Sequence, residues 1–140
     1  MSYLLDTNVV SELRKAGTRR IDRHIDRWAR NTPAASMYLS AISVLELELG
    51  VLLLERRDPK QGAILRTWME KHVLPGFAGR ILAVDTEVAR RAAGLHIPNP
   101  CSQRDGMIAA TALVHGMTVV TRNTADFKAS GAALFNPWRS

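Results

Sequence analysis

The sequence is short of the residues that mark several functional classes. It holds one cysteine, Cys101, in 140 residues, so no disulfide can close within it, as suits a reducing compartment. The thiol is expected simply to be buried. No stretch approaches the roughly 18 apolar residues of a membrane span, and no basic segment followed by an apolar core opens the chain. The expected location is therefore the cytoplasm, with no membrane partner. Glycine is not arranged as a GxxxxGKS/T phosphate loop, a GxGxxG dinucleotide turn or a GxSxG nucleophile elbow, which argues against nucleotide-dependent and serine-hydrolase chemistry. The histidines, His24, His72, His96 and His115, are scattered without zinc-ligand spacing. Acids are outnumbered too: thirteen Asp and Glu face nineteen Lys and Arg, fifteen of them Arg, for a net charge of +6. Arg suits forked phosphate contacts, so a polyanionic partner is expected.

With 46% hydrophobic and 23% charged residues, the chain can bury a core of its own, and no linker, repeat or low-complexity tract divides it. Residues 1–140 read as a single domain. Strand-like and helix-like segments alternate, the pattern of an α/β sandwich built on a parallel sheet. Strands are expected at 2–5, 37–39, 81–84 and 118–121. Helices are expected from Thr7 or Asn8 to Arg14, through Ile21, Ile25, Trp28 and Ala29, from Ser43 to Glu55, from Pro59 to His72, from Thr86 to Leu95 and from Asp105 to His115. Gly116 should stop the last of these.

In such a sheet, ligands gather at the carboxyl ends of the strands. Two distant segments bring acids there. Tyr3-Leu4-Leu5-Asp6-Thr7-Asn8 and Thr118-Val119-Val120-Thr121-Arg122-Asn123-Thr124-Ala125-Asp126 each run an apolar strand into hydroxyl, amide and carboxylate groups. Taken singly, each acid has an ordinary alternative: Asp6 could favour a helix N-terminus, Ser102 and Asp105 have capping-box spacing, and Asp126 sits in a turn-like sequence. Glu46 lies in a largely apolar helix, and at about 100° per residue it points about 200° away from Glu48, which shares a solvent face with Glu55. Glu46 is therefore expected to face inward, although Ser43 to Glu46 is also a capping-box spacing. Gathered at one sheet edge, Asp6, Glu46, Asp105 and Asp126 would repel one another unless a cation neutralised them. Carboxylate oxygens alone favour Mg²⁺ or Mn²⁺.

With these residues in view, the chain resembles the PIN-domain ribonucleases, and within them the VapC toxins of the FitB-like branch. The resemblance spans almost the whole length. It rests on Leu4-Leu5-Asp6-Thr7-Asn8-Val9-Val10-Ser11-Glu12-Leu13-Arg14, on Ser40-Ala41-Ile42-Ser43-Val44-Leu45-Glu46-Leu47, on Arg104-Asp105-Gly106-Met107-Ile108-Ala109-Ala110-Thr111-Ala112, on Val119 to Phe127 and on Asn136-Pro137-Trp138. Together, in this order and spacing, the blocks are far more specific than any one of them. The resemblance implies a PIN-like three-layer α/β/α sandwich with four or five parallel strands. It also implies a Mg²⁺-dependent endoribonuclease, with Mn²⁺ an alternative ion, that hydrolyses single-stranded or looped RNA to 5′-phosphate and 3′-hydroxyl ends. The family's catalytic and metal-binding acids map to Asp6, Glu46, Asp105 and Asp126, and Thr7, Asn8, Thr121 and Asn123 become supporting polar residues. Arg14, Arg104 and Arg122 are candidates to hold the RNA backbone. Gly106 weakens a helix start by about 1 kcal/mol relative to Ala. A cognate VapB-like antitoxin and a toxin homodimer are implied as partners, for which the Trp28 helix and the Leu47 to Leu54 helix offer candidate apolar surface.

Two rival readings differ in class. One is a catalytically silent PIN-like module acting only within a DNA-binding antitoxin complex, against which the intact set of four acids counts. The other is a metal-dependent phosphatase of small molecules, which the acids allow and the Arg excess disfavours. Cleavage of RNA and of a small phosphoester, each with and without EDTA, separates the three.

Overall fold

Strands Tyr3–Leu5 (β1), Met37–Ser40 (β2), Ile81–Leu82 (β3), Thr118–Val120 (β4) and Leu134–Phe135 (β5) form one sheet in the order β3-β2-β1-β4-β5 in the computed structural model, which describes residues 1–139. Every pairing is parallel, and Tyr3 stands opposite both Met37 and Thr118. The chain builds outward from β1 through β2 to β3, then returns to lay β4 and β5 on the other side. The order therefore reverses between β1 and β4, and in open α/β sheets that reversal leaves a crevice at the strands' carboxyl ends.

Helices Thr7–Leu13 (α1), Arg23–Arg30 (α2), Ala41–Arg57 (α3), Pro59–Trp68 (α4), Leu74–Gly76 (α5), Thr86–Leu95 (α6), Gln103–His115 (α7) and Thr124–Phe127 (α8) flank the sheet. Side chains alternate across a strand, and both faces of the central strands are covered. Leu5 and Val120 join a core with Val9, Ile25, Leu47 and Val51, while Leu4 and Val119 join a second core with Ile108, Ala109 and Phe127. The result is the expected α/β/α sandwich.

Several boundaries differ from expectation, each for a local reason. Asp6, rather than Thr7 or Asn8, caps α1, its Oδ1 accepting the Thr7 N–H at 2.8 Å. Ser40, rather than Ser43, caps α3 by accepting the Ile42 N–H at 3.0 Å. That removes the capping-box explanation for Glu46. Helix α7 begins at Gln103, before Asp105, with Ser102 as its cap; Pro59 and Gly116 behave as expected, the latter at φ 66°. The helix expected to run to His72 is α-helical only to Trp68 and continues as a π-helical turn over Met69–Val73. Trp28 is half-buried core, its ring centroid 5.4 Å from Tyr3 and 5.7 Å from Phe135, and not a free apolar surface. Apart from Met1 and Ile97, the exposed large apolar side chains lie on α3 and α4, at Leu45, Leu49, Leu52, Leu53 and Ile64. Cys101 is exposed, not buried, because it sits in the loop before α7. Among the described residues no helix is long and apolar enough to cross a membrane.

Candidate acidic site

Asp6 is the hub. It directly follows β1 at the topological reversal and is only 7% exposed. Besides capping α1, it accepts hydrogen bonds at Oδ2 from the Thr121 hydroxyl at 2.7 Å and from Asn8 Nδ2 at 3.2 Å. Thr121, fully buried just past β4, also accepts the Asn123 N–H at 3.0 Å, and Asn8 Oδ1 accepts the Arg122 N–H at 3.3 Å. On the other flank of β1, Thr7 Oγ1 donates to Glu46 Oε1 at 2.7 Å. Thus Thr7 reaches toward α3 while Asn8 reaches toward the loop after β4, matching the sheet order β2-β1-β4. Asn123 acts here through its backbone N–H.

Glu46 faces the acids, as its helical angle requires, whereas Glu48 and Glu55, expected on a solvent face, are half-buried against α4 and share its Arg66, at 2.7 and 3.2 Å. The other Glu46 oxygen lies 3.7 Å from Arg104 Nη1. Asp105 is half-buried in the first turn of α7, and Asp126 is exposed on α8. Burial is the largest influence on Asp6 and raises its pKa; the Thr121 hydroxyl and the Thr7 N–H work against it, and the charges of Glu46 and Asp126 push it further up. Asp105 is likewise raised, first by burial and then by the charges of Asp6, Asp126 and Glu46. The structure therefore brings all four acids into one electrostatic field.

Among the described residues, no three His, Cys, Asp or Glu side chains are drawn close enough to form a ready-made metal shell. The donor set nonetheless fits a hard divalent cation: four carboxylates offer only oxygen, two are unfavourably charged where they stand, and hydroxyl and amide donors hold Asp6 in position. These residues could hold such an ion and orient a water molecule beside it.

Two depressions adjoin Glu46. A groove of about 650 Å³ runs past Leu45, Glu46, Ser102, Arg104 and Asp105; a smaller cavity of about 200 Å³ lies against Thr7, Ser11, Arg14, Glu46, Gly50 and Trp68. Arg104 borders the first and Arg14 the second. The Arg14 guanidinium lies 5.9 Å from the Trp68 ring centroid, and that of Arg122 lies 5.4 Å from the Trp138 ring. Neither tryptophan stood out in the sequence as site-lining, because each is brought to its arginine by a different helix or turn. Gly106 is buried, and a Cβ there would come within 3.2 Å of Cys101 Sγ, so an alanine would require the exposed Cys101 loop to give by a few tenths of an ångström.

Comparison with known proteins agrees with this architecture. The family model described as PIN domain matches residues 3–131. Toxin FitB of Neisseria gonorrhoeae is 44% identical over 142 residues, covering 96% of this chain and 97% of that protein. A VapC ribonuclease of Sinorhizobium fredii is 40% identical over 140 residues, covering 96% of each. The crystal structure of FitAcB from N. gonorrhoeae superposes with a TM-score of 0.86 at 40% identity, over 99% of both chains. With more than half its length matched by the family model and relatives at 40% and 44% identity aligned over 96% of it, the chain belongs to the PIN-domain family.

Proposed function

We propose that this protein is an endoribonuclease toxin that uses a divalent cation, Mg²⁺ or Mn²⁺, to hydrolyse single-stranded or looped RNA, and that a cognate antitoxin restrains it. The observation that carries the reading is the shared field of Asp6, Glu46, Asp105 and Asp126 at the topological reversal, where burial and mutual repulsion leave a deficit of positive charge. Relatives named as a VapC ribonuclease and as a toxin support it.

In this reading the four acids are both catalytic and metal-binding. Bound among them, the cation would supply water activation and neutralise charge on the phosphoryl group. Asp6 is the fixed ligand, held by Thr121, Thr7 and Asn8. Thr7 fixes the Glu46 carboxylate, and Asp105 and Asp126 close the site from α7 and α8. The water oxygen attacks phosphorus, the bond to the 3′ oxygen breaks, and a proton passes to that oxygen, leaving 5′-phosphate and 3′-hydroxyl ends. Arg14 and Arg104, which line the depressions beside Glu46, and Arg122, whose backbone N–H reaches Asn8, hold neighbouring phosphates. Arg104 leaves its 3.7 Å partnership with Glu46 for the substrate once Glu46 is engaged. The exposed leucines of α3, with Ile64, supply apolar area for a homodimer or for the antitoxin. The domain acts as one unit over residues 1–140.

The test is brief induction in a bacterial host, followed by mapping of new RNA 5′ ends. Growth arrest with discrete 5′-phosphate ends is expected, with both effects absent for Asp6→Asn and relieved by co-expression of the antitoxin encoded alongside. Unaffected growth and intact RNA would overturn the reading and favour a silent DNA-regulatory module.

A further inference from the structure

The cavity beside Glu46 offers an aromatic surface that the acid chemistry leaves unused. Trp68, at the end of α4, is half-buried, and the Arg14 guanidinium lies over its ring at 5.9 Å. The same cavity, of about 200 Å³, is bounded by Thr7 and Glu46 on the acid side. Gly50 leaves its α3 wall open, since a Cβ there would meet no atom within 4 Å. A planar ring, a planar cation and open space thus adjoin a carboxylate of the proposed reaction centre.

We propose that this cavity is a nucleobase subsite: an unpaired base of the RNA, next to the scissile phosphate, stacks on the Arg14–Trp68 pair, and Trp68 thereby helps set where the strand is cut. The inference rests on the ribonuclease reading and deepens it. Unpaired bases stack on aromatic rings and on guanidinium planes, whereas a base held in a duplex is unavailable to enter. Because Glu46 borders both the cavity and the acid cluster, a base lodged there belongs to a nucleotide adjoining the one being cut. The net charge of +6 and the Arg at the cavity mouth favour a nucleic-acid strand over an apolar peptide as occupant.

The test uses the full-length protein carrying Asp105→Asn to prevent cleavage. It is titrated with a short single-stranded oligoribonucleotide spanning a mapped cut site, and with versions abasic on either side of the cut. Trp68 contributes to core packing, so Gly50→Leu is the better variant: it fills the cavity with a helix-favouring residue. Loss of one flanking base is expected to weaken binding about tenfold, the scale of one stacked base, with matching loss of tryptophan quenching. In Gly50→Leu the intact oligonucleotide binds as weakly as the abasic one, while the melting temperature does not fall. In the cleavage-competent background, the same substitution raises KM for the oligonucleotide. If wild-type protein cuts RNA yet intact and abasic strands bind alike, or Gly50→Leu preserves their difference, the subsite is wrong and the ribonuclease reading stands. A Gly50→Leu protein that loses only a co-purified protein partner has the same meaning. Failure of wild-type protein to bind or cut any RNA removes both.

Discussion

The Thr121 hydroxyl donates a 2.7 Å hydrogen bond to Asp6 Oδ2 within the buried end of the sheet. This bond ties the residue after β4 to the residue after β1, and it opposes the burial that raises the Asp6 pKa. It therefore holds the hub acid in position and favours its ionised form.

Thr121→Val keeps the shape and removes the donor. The Asp6 pKa then rises further, so the ionised form needed for metal binding is lost at higher pH than in the parent. The acid limb of the pH–rate profile should move upward, and metal affinity should fall about tenfold or more, the scale of losing an outer-shell partner. An unmoved acid limb means Asp6 is not controlled in this way.

Glu46→Gln and Glu48→Gln separate catalysis from stability within one helix. Glu46→Gln should weaken divalent-metal binding, measured by calorimetry, with little effect on folding. Glu48→Gln should leave metal binding intact and lower the melting temperature slightly. Hydrogen bonds from Arg66 are the main reason the Glu48 pKa is lowered, against a smaller rise from burial. A lowered folded-state pKa contributes stability above the unfolded value and loses it as pH falls through the folded one, so the gap between parent and Glu48→Gln should close below about pH 4.

Asp105→Asn should abolish cleavage and yet melt a few degrees above the parent in EDTA at neutral pH. Burial, then the charges of Asp6, Asp126 and Glu46, raise the Asp105 pKa. A carboxyl with a raised folded-state pKa stabilises the fold below its unfolded pKa and loses that contribution as pH rises through the folded one. The advantage of Asn should therefore shrink on acidification. A mutant that melts lower at neutral pH would mean the favourable position of Asp105 in the first turn of α7 outweighs the repulsion.

Two glycines should respond oppositely to alanine. A Cβ at Gly62 would lie 2.4 Å from Glu55 Cα, where α4 folds back on α3. Gly62→Ala must force backbone apart, and overpacking of this kind costs about 1–3 kcal/mol. Gly50→Ala meets nothing within 4 Å and should gain up to about 1 kcal/mol of helix propensity. Thermal melts of the two variants check the close α3–α4 packing directly.

The sheet and its acids were legible because apolar strands run straight into polar groups, as in Leu4-Leu5-Asp6 and Val119-Val120-Thr121. Glu46 was legible because one inward acid in an apolar helix has a defined angle. The caps were not, since Asp6, Thr7 or Asn8, and Ser40 or Ser43, can each open a helix, and only the backbone path decides which one does. Strand β5 has two residues and is specified by its pairing with β4 rather than by any local pattern. The Arg14–Trp68 contact depends on the fold-back of α3 and α4, which no periodicity encodes.

The most direct measurement is cleavage of a 5′-labelled single-stranded RNA by purified protein, first in EDTA and then as Mg²⁺ is restored. The account predicts no cleavage in EDTA, recovery with Mg²⁺ or Mn²⁺ in the absence of ATP, and no recovery for Asp6→Asn at any ion concentration tested. Cleavage that persists in EDTA, or an Asp6→Asn protein as active as the parent, would contradict it.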